Sequence, residues 1–153
     1  MQKINSNSCQ KRLLSIDYGT KRVGLATFDG EYDPCPCPYG VIAYLGDEQL
    51  VKSVVKLVEE QEIAWVVIGI PKLVDGKETS MSRRVENFGH RLKNNLSKLK
   101  VDVFFQDETL SSFEAEDRMR NSPLYNFKVD KNKIDQLSAV IILEDFLRNY
   151  SLK

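Results

Sequence analysis

The chain has 153 residues, of which 42% are hydrophobic and 29% are charged, the balance of an ordinary soluble globular protein. No apolar run approaches the roughly 18 to 20 residues that a membrane-spanning helix requires, so we expect no membrane partner. The net charge is zero, with 22 basic and 22 acidic side chains. This argues mildly against a protein that coats nucleic acid through bulk charge, so nucleic-acid binding would need a local basic patch.

The polar N-terminus, residues 1–11, lacks the apolar segment of a signal peptide and is predicted to be a flexible tail. Residues 12–150 are predicted to form one domain. The cysteines number three, and an odd count favours reduced thiols in a cytoplasmic protein. Cys35 and Cys37 lack the spacing and the second cysteine pair of a zinc site, so we expect no structural zinc.

The first two strands are predicted at Leu13 to Tyr18 and Val23 to Phe28. Asp17 lies near the end of the first strand. The turn that follows carries a glycine, a hydroxyl and two cations, namely Gly19, Thr20, Lys21 and Arg22. An acid in a buried strand is costly unless it is compensated. Asp17 therefore either holds a divalent metal beside a phosphate or accepts hydrogen bonds from its own turn, and this motif alone leaves both interpretations open.

The middle of the chain predicts a third strand at about Tyr39 to Tyr44 and then a helix with Asp47 as its N-cap. Trp65 to Ile70 is apolar on both alternating faces, which is typical of a central strand covered on both sides. A long helix is predicted at about Ser80 to Leu99, and a fifth strand at Val101 to Gln106.

The last third of the chain predicts two more helices. Ser111 and Glu114 have the spacing of a capping box at the start of a short helix. The final helix, about Lys133 to Tyr150, is apolar on most sides, so we expect it to pack deep in the protein.

This order of elements predicts an α/β protein with a mixed five-stranded sheet and helices on both faces. The first three strands are connected as hairpins and should be antiparallel, whereas strands four and five should join parallel to strand one through right-handed crossovers. The order is that of the ribonuclease H-like architecture, and it also fits other α/β folds.

Three carboxylates are candidates for a catalytic and metal-binding site: Asp17, Glu108 and Asp135. Glu108 directly follows the fifth predicted strand. Asp135 occupies the first turn of the last helix, where the helix dipole favours an anion, so it is either a cap or a ligand. In the predicted sheet, strands one and five flank strand four and end at one edge, which is where open α/β sheets bind ligands.

Three acids that converge in one cleft repel each other unless cations are bound. Mg²⁺ or Mn²⁺ prefers such oxygen ligands, and a pair of these ions can clamp the attacking and leaving oxygens of a phosphodiester. In this hypothesis Asp17 anchors the metals, while Glu108 and Asp135 complete the ligand set and orient the attacking water.

Several polar and basic residues near the same edge are candidates for binding a phosphate-bearing substrate. They are Gly19, Thr20, Lys21, Arg22, Arg83, Arg84, Lys131 and Lys133. For any single one of the cations, an ordinary solvated surface position is the simpler interpretation. Lys131 and Lys133 are the stronger candidates because they precede Asp135 closely.

Four blocks of the sequence resemble the YqgF/RuvX family of bacterial proteins. They are IDYGTKRVGLA at 16–26, VIGIPKLVDGKETSMSRRVENFGHRL at 67–92, DETLSSFEAE at 107–116 and KIDQLSAVIILEDFL at 133–147. The resemblance implies a ribonuclease H-like fold, a cytoplasmic location and nuclease chemistry that depends on Mg²⁺ or Mn²⁺, with the family's acids on Asp17, Glu108 and Asp135.

The same resemblance implies maturation of the 5′ end of 16S ribosomal RNA, with Holliday junction resolution as the older alternative. The expected partners are therefore nucleic acid, either pre-rRNA or branched DNA, and ribosomal precursor particles. The protein would act as a monomer or a weak homodimer.

The chain departs from the family pattern at one block. Thr109 stands where the family usually has arginine, which removes a cation beside the site. Ser111 and Ser112 replace two threonines, and the hydroxyl groups are kept.

Two other functions remain open on the sequence. The first block also resembles the phosphate loop of actin-like ATPases and sugar kinases, but those proteins clamp nucleotide between two such domains and this chain has residues for one. A non-catalytic RNA- or protein-binding domain of the same fold is the other possibility. Uncompensated acids at one edge contribute no stability, so the three acids favour the enzyme.

Overall fold

The computed structural model describes residues 11–31, 35–71, 77–108 and 111–151, without the side chains of residues 111, 112 and 151. Residues 1–10 of the predicted tail, Thr109 and the predicted capping box of Ser111 lie outside this description. No helix in the described ranges combines the length and the apolar character that crossing a membrane requires.

The sheet has the strand order β3-β2-β1-β4-β5. Its strands are β1 (Arg12–Asp17), β2 (Arg22–Asp29), β3 (Cys37–Ala43), β4 (Trp65–Ile70) and β5 (Asp102–Asp107). β1 and β3 are each antiparallel to β2, and β4 is parallel to both β1 and β5. The predicted mixed sheet of the ribonuclease H-like fold is thereby confirmed.

The helices follow the predicted order with shifted ends. They are α1 (Asp47–Glu60), α2 (Ser80–Leu96), α3 (Ser111–Arg120) and α4 (Ile134–Ser151), with 3₁₀ turns at Ser97–Leu99 and Pro123–Tyr125. The predicted N-cap role of Asp47 is wrong, because Gly46 occupies that position and no side chain caps α1. The Asp47 carboxylate instead accepts hydrogen bonds from tyrosine hydroxyl groups.

The third strand begins two residues earlier than predicted and includes Pro38. A proline is tolerated here because β3 is an edge strand and because its register with β2 shifts between Leu25 and Ala26, beside this proline.

The sheet separates two apolar layers. α1 and α2 cover one face, where Leu14 and Ile16 of β1 are fully buried. α3 and α4 cover the other face, where Leu13 packs with the apolar side of α4. Every residue of β4 is buried, as expected for a central strand covered on both sides.

Candidate active site

The carboxyl ends of the three parallel strands lie at one edge of the sheet, as the sequence predicted. β1 ends at Asp17, β4 at Ile70 and β5 at Asp107. Glu108 comes directly after β5, and its backbone N–H donates to the carbonyl oxygen of Ile70 at 2.7 Å. Two of the three predicted acids are therefore contributed to this edge by different strands.

Asp17 lies on the sheet face that α4 covers. Side chains alternate along a strand, so Asp17 shares its face with Leu13 and Ser15. Leu13 packs in the same apolar layer as α4, and the Ser15 hydroxyl donates to the carbonyl oxygen of Ala139 in α4 at 2.6 Å. The Asp17 side chain is therefore directed toward the layer that contains Asp135.

Gly24 allows the beginning of α4 to approach Asp17. Gly24 is the residue of β2 that pairs with Asp17 in the antiparallel register. A Cβ atom at this position would clash with the backbone carbonyl of Asp135, and it would lie 2.9 Å from the backbone nitrogen of Gln136. The first turn of α4 thus rests on bare backbone beside Asp17, which explains how two acids far apart in sequence come together.

The two carboxylates influence each other electrostatically. Burial, and secondly the negative charge of Asp135, raise the pKa of Asp17 to about 7. Among the described residues, the Asp17 side chain has no hydrogen-bond or ion-pair partner. Asp17 is therefore a partly buried acid whose charged form is poorly compensated.

Asp135 has one cationic neighbour. The Nε atom of Arg22 lies 3.0 Å from its Oδ2 atom, and the side chains of Arg22 and Asp135 are 49% and 23% exposed. The N–H of Arg22 is not aligned for a hydrogen bond, and Oδ2 is buried without a hydrogen-bond partner among the described residues. The distance therefore describes a loose ion pair with a half-exposed arginine.

The cap interpretation of Asp135 is not supported by its contacts. No backbone N–H in the described ranges donates to its carboxylate. Asp130 forms the side-chain contact that precedes α4, since its Oδ1 atom accepts from the N–H of Asn132 at 3.0 Å. Asp135 is thus left facing Asp17 and Arg22.

Glu108 lies farther from the pair. Ile16 of β1 pairs with Ile68 of β4, so the next residues, Asp17 and Gly69, lie side by side, and Gly69 pairs with Gln106 of β5. Relative to Asp17, Glu108 is therefore displaced by two strands across the sheet, about 10 Å, and by two residues along the strand direction, about 7 Å. In the described part of the chain, no three His, Cys, Asp or Glu side chains are grouped closely enough to hold a metal ion.

The Asp17–Asp135 pair nevertheless fits a divalent cation. Both groups supply hard oxygen atoms, and one of these atoms, Oδ2 of Asp135, is buried without a hydrogen bond from any described residue. Burial, and secondly the charge of Asp135, raise the pKa of Asp17, so its ionised form is also unfavourable. A cation between the carboxylates would compensate both.

The turn between β1 and β2 places predicted substrate-binding residues at the same edge. A Cβ atom on Gly19 would clash with the carbonyl oxygen of Arg22, so this tight turn requires glycine. Thr20 and Lys21 are exposed beside it. Lys131 and Lys133 are also exposed, directly before α4.

The two arginines of α2 have different surroundings. Arg83 forms an exposed ion pair with Glu78 at 3.1 Å. Arg84 lies over two tyrosine rings, and its Nη2 atom is 3.4 Å from the hydroxyl of Tyr18 and 3.2 Å from that of Tyr44. Arg84 is therefore held against Tyr18 on the sheet face that α1 and α2 cover, opposite to the face of Asp17, whereas Arg83 is engaged by a surface carboxylate.

Tyr18, Tyr44 and Asp47 form a polar cluster that sequence reasoning missed. Both hydroxyls donate to Oδ1 of Asp47 at 2.6 Å. Burial, followed by the hydrogen bond to Asp47, raises the pKa of Tyr18, so this hydroxyl stays protonated. Both hydroxyl oxygens can then accept from Arg84. The sequence offered one signal, a tyrosine directly after a strand-terminal acid, but its partners come from other elements.

Comparisons with known proteins agree with this architecture. A family model described as "RuvX: Holliday junction resolvase" matches residues 11–149. A protein of Maridesulfovibrio salexigens named "Putative pre-16S rRNA nuclease" is 35% identical over 136 residues, covering 89% of this chain and 97% of its own length. A relative of the same name from Oleidesulfovibrio alaskensis is 38% identical over 136 residues, covering 89% of this chain and 91% of its own.

A solved structure also resembles the chain. Thermus thermophilus RuvC in complex with a Holliday junction substrate has a TM-score of 0.58, and the match covers 92% of this chain and 97% of that one. Its sequence identity is 10%, so the likeness shows a shared fold.

Proposed function

The chain belongs to the RuvX family of Holliday junction resolvases, and we propose that it is a divalent-metal-dependent nuclease that hydrolyses phosphodiester bonds in the 5′ region of pre-16S ribosomal RNA. The observation that carries the proposal is the pair of undercompensated carboxylates, Asp17 and Asp135, at the carboxyl edge of the sheet. The enzyme would act in the cytoplasm, on free pre-rRNA or on ribosomal precursor particles.

The proposed roles follow from the positions of the residues. Asp17 and Asp135 would hold Mg²⁺ or Mn²⁺ through their carboxylate oxygens. When bound, the metal supplies electrostatic stabilisation of the charge that develops on the phosphodiester oxygens. Glu108, on the far side of Gly69, would orient the attacking water from across the cleft. Arg22 is half exposed and could exchange its contact with Asp135 for a substrate phosphate.

The choice of RNA as substrate rests on the names of the relatives, which are 35% and 38% identical. Junction resolution is the second candidate, and the family description and the shared fold with a junction-bound RuvC favour it. Both reactions hydrolyse a phosphodiester, so the same carboxylate pair would serve either one.

The test is cleavage by the purified full-length protein in Mn²⁺. One substrate is an RNA that spans the 16S 5′ precursor junction, and the other is a synthetic four-way DNA junction. We expect the wild type to cut the RNA and Asp17→Asn to lose at least about hundredfold in rate, which corresponds to roughly 3 kcal/mol of lost metal-dependent stabilisation.

Asp102→Asn is the matched control, because Asp102 is an exposed acid at the amino end of β5, on the opposite edge of the sheet. This variant should cut at the wild-type rate. Cleavage of the DNA junction alone would establish the resolvase instead. If the wild type cuts neither substrate but binds RNA as tightly as Asp17→Asn, the nuclease proposal is wrong and a binding role replaces it.

A further inference from the structure

The loop between α3 and α4, residues 121–133, exposes two large apolar side chains. Leu124 is 82% exposed and Phe127 is 61% exposed. Their neighbours in the loop, Tyr125 and Val129, pack against the apolar layer formed by α3 and α4. The loop is therefore anchored to the core at two points while it presents a phenyl ring to solvent.

Backbone contacts hold Phe127 in this orientation. Its N–H donates to the carbonyl oxygen of Ser122 at 3.0 Å, and the N–H of Lys128 donates to that of Tyr125 at 3.1 Å. Phe127 also has a φ of 58°, in the left-handed region that bulky residues rarely adopt. The loop thus keeps an unfavourable backbone conformation at the residue whose ring it exposes.

The same loop is locally basic. Lys128, Lys131 and Lys133 are all exposed, and none forms an ion pair within the described ranges. The loop's acid, Asp130, already accepts a hydrogen bond from the backbone of Asn132. Lys133 comes two residues before Asp135, so the basic end of the loop adjoins the first turn of α4, which carries that carboxylate.

We propose that this loop binds single-stranded nucleic acid, with an unpaired base stacked on Phe127 and backbone phosphates on Lys128, Lys131 and Lys133. An exposed aromatic ring among cations is the combination by which proteins hold single strands, because the ring contacts a base face that a duplex conceals. The lysines favour a polyanion over an apolar protein partner. The inference rests on the proposed function for the claim that the bound strand is the substrate.

The test measures binding separately from cleavage. Full-length protein in EDTA is titrated with a fluorescently labelled single-stranded RNA of about 12 nucleotides, and its affinity is compared with that for the matching duplex. Phe127→Ala should weaken single-strand binding about 5- to 100-fold, the range that the loss of one stacked base produces. Phe127→Trp should keep the affinity, and its added fluorescence should be quenched by the single strand.

The charge component has its own readout. The double variant Lys128→Gln/Lys131→Gln should reduce the slope of log affinity against log salt by about one to two, because fewer phosphates are neutralised. Tyr39→Ala, which removes an exposed ring from edge strand β3, is the matched control and should bind like the wild type. Circular dichroism verifies that Phe127→Ala is folded.

Three results would overturn the proposal. The first is that Phe127→Ala binds single-stranded RNA with wild-type affinity, and the second is that the fluorescence of Phe127→Trp does not change when RNA is added. The third is that Phe127→Ala changes only the sedimentation of the protein, which would indicate a protein interface. These results can be distinguished from results that refute the nuclease proposal. Metal-dependent cleavage that Asp17→Asn abolishes, together with unaltered binding by Phe127→Ala, would refute the loop site alone. If Phe127→Ala binds RNA more weakly but the wild type cleaves neither substrate, the nuclease proposal alone is refuted.

Discussion

Asp17 is the residue on which the proposed chemistry depends. It ends a strand whose four preceding side chains are buried, and it faces the carboxylate of Asp135. A carboxylate in such a position is unfavourable in the metal-free protein, because burial and like charge both oppose ionisation. The same property makes it a good cation ligand, since a bound cation removes both penalties.

The raised pKa of Asp17 predicts a pH-dependent effect of Asp17→Asn on stability. The folded-state pKa of about 7 lies above the ordinary aspartate value of 3.8, so the folded protein binds this proton more tightly than the unfolded chain does. The resulting stabilisation is present below about pH 4 and is lost as the pH rises to about 7. In EDTA, Asp17→Asn should therefore melt at a higher temperature than the wild type at pH 8 and at a similar temperature at pH 4.

Asp135 and its ion-pair partner Arg22 are the charged groups near Asp17 that could also affect the melting temperature. Both remain in the variant, so the difference reports Asp17. Asp102→Asn, at an exposed position, should show no such pH-dependent difference. A lower melting temperature for Asp17→Asn at pH 8 would contradict the buried-charge account.

At the scale of elements, the site depends on how α4 sits on β2. The first turn of α4 lies directly over Gly24, and Gly24 pairs with Asp17 across the β1–β2 ladder. Helix and strand can approach this closely because no side chain separates them. The two carboxylates therefore come together only because residue 24 has no side chain.

Gly24→Ala should damage both stability and cleavage. The added methyl group would force the Asp135 backbone away from β2, costing about 1 to 3 kcal/mol in the free energy of unfolding. A shift of even 1 Å in a catalytic group can reduce the rate by a factor of about 100. Urea denaturation and the cleavage assay give the two values.

Gly40→Ala is the matched control for this experiment. Gly40 also lies in a strand, β3, but a Cβ atom there would have no neighbour within 4 Å. This variant should retain wild-type stability and cleavage rate. If Gly24→Ala cleaved as fast as Gly40→Ala, the close approach of α4 would not matter for the reaction.

At the scale of the whole molecule, the two carboxylates come from the first strand and from the helix at the other end of the described chain. Asp17 belongs to β1, and Asp135 belongs to α4, which is the last element. The unfolded chain cannot hold the two carboxylates together, so a metal that bridges them binds the folded state preferentially. Metal binding and folding are then coupled.

Mg²⁺ should therefore raise the melting temperature of the wild type at pH 8. At a concentration about 100-fold above the dissociation constant, binding contributes about 2.7 kcal/mol. For a domain of this size the shift would be roughly 5 to 10 °C. Differential scanning calorimetry measures it, with Asp17→Asn as the variant that should not respond. An equal shift in both proteins would place the metal elsewhere.

Several features of the site could be read from the sequence because they are local. Glu108 follows a strand and Asp17 ends one, so the strand pattern, together with the predicted parallel crossovers, was enough to place both at the sheet edge. The role of Asp47 was predicted wrongly because a position before a helix favours an N-cap, whereas the structure commits its carboxylate to Tyr18 and Tyr44. Those partners lie in other parts of the chain, and no local pattern identifies them.

The sequence by itself determined the order of strands and helices, the mixed sheet and the family, because hydrophobic periodicity and motif spacing are properties of neighbouring residues. The tertiary structure alone decided that Asp135 faces Asp17 instead of capping α4, and that Glu108 follows a strand two positions across the sheet from Asp17. These outcomes depend on which backbones approach closely across the sheet. That approach is decided by the packing of α4 over Gly24, between residues more than one hundred positions apart.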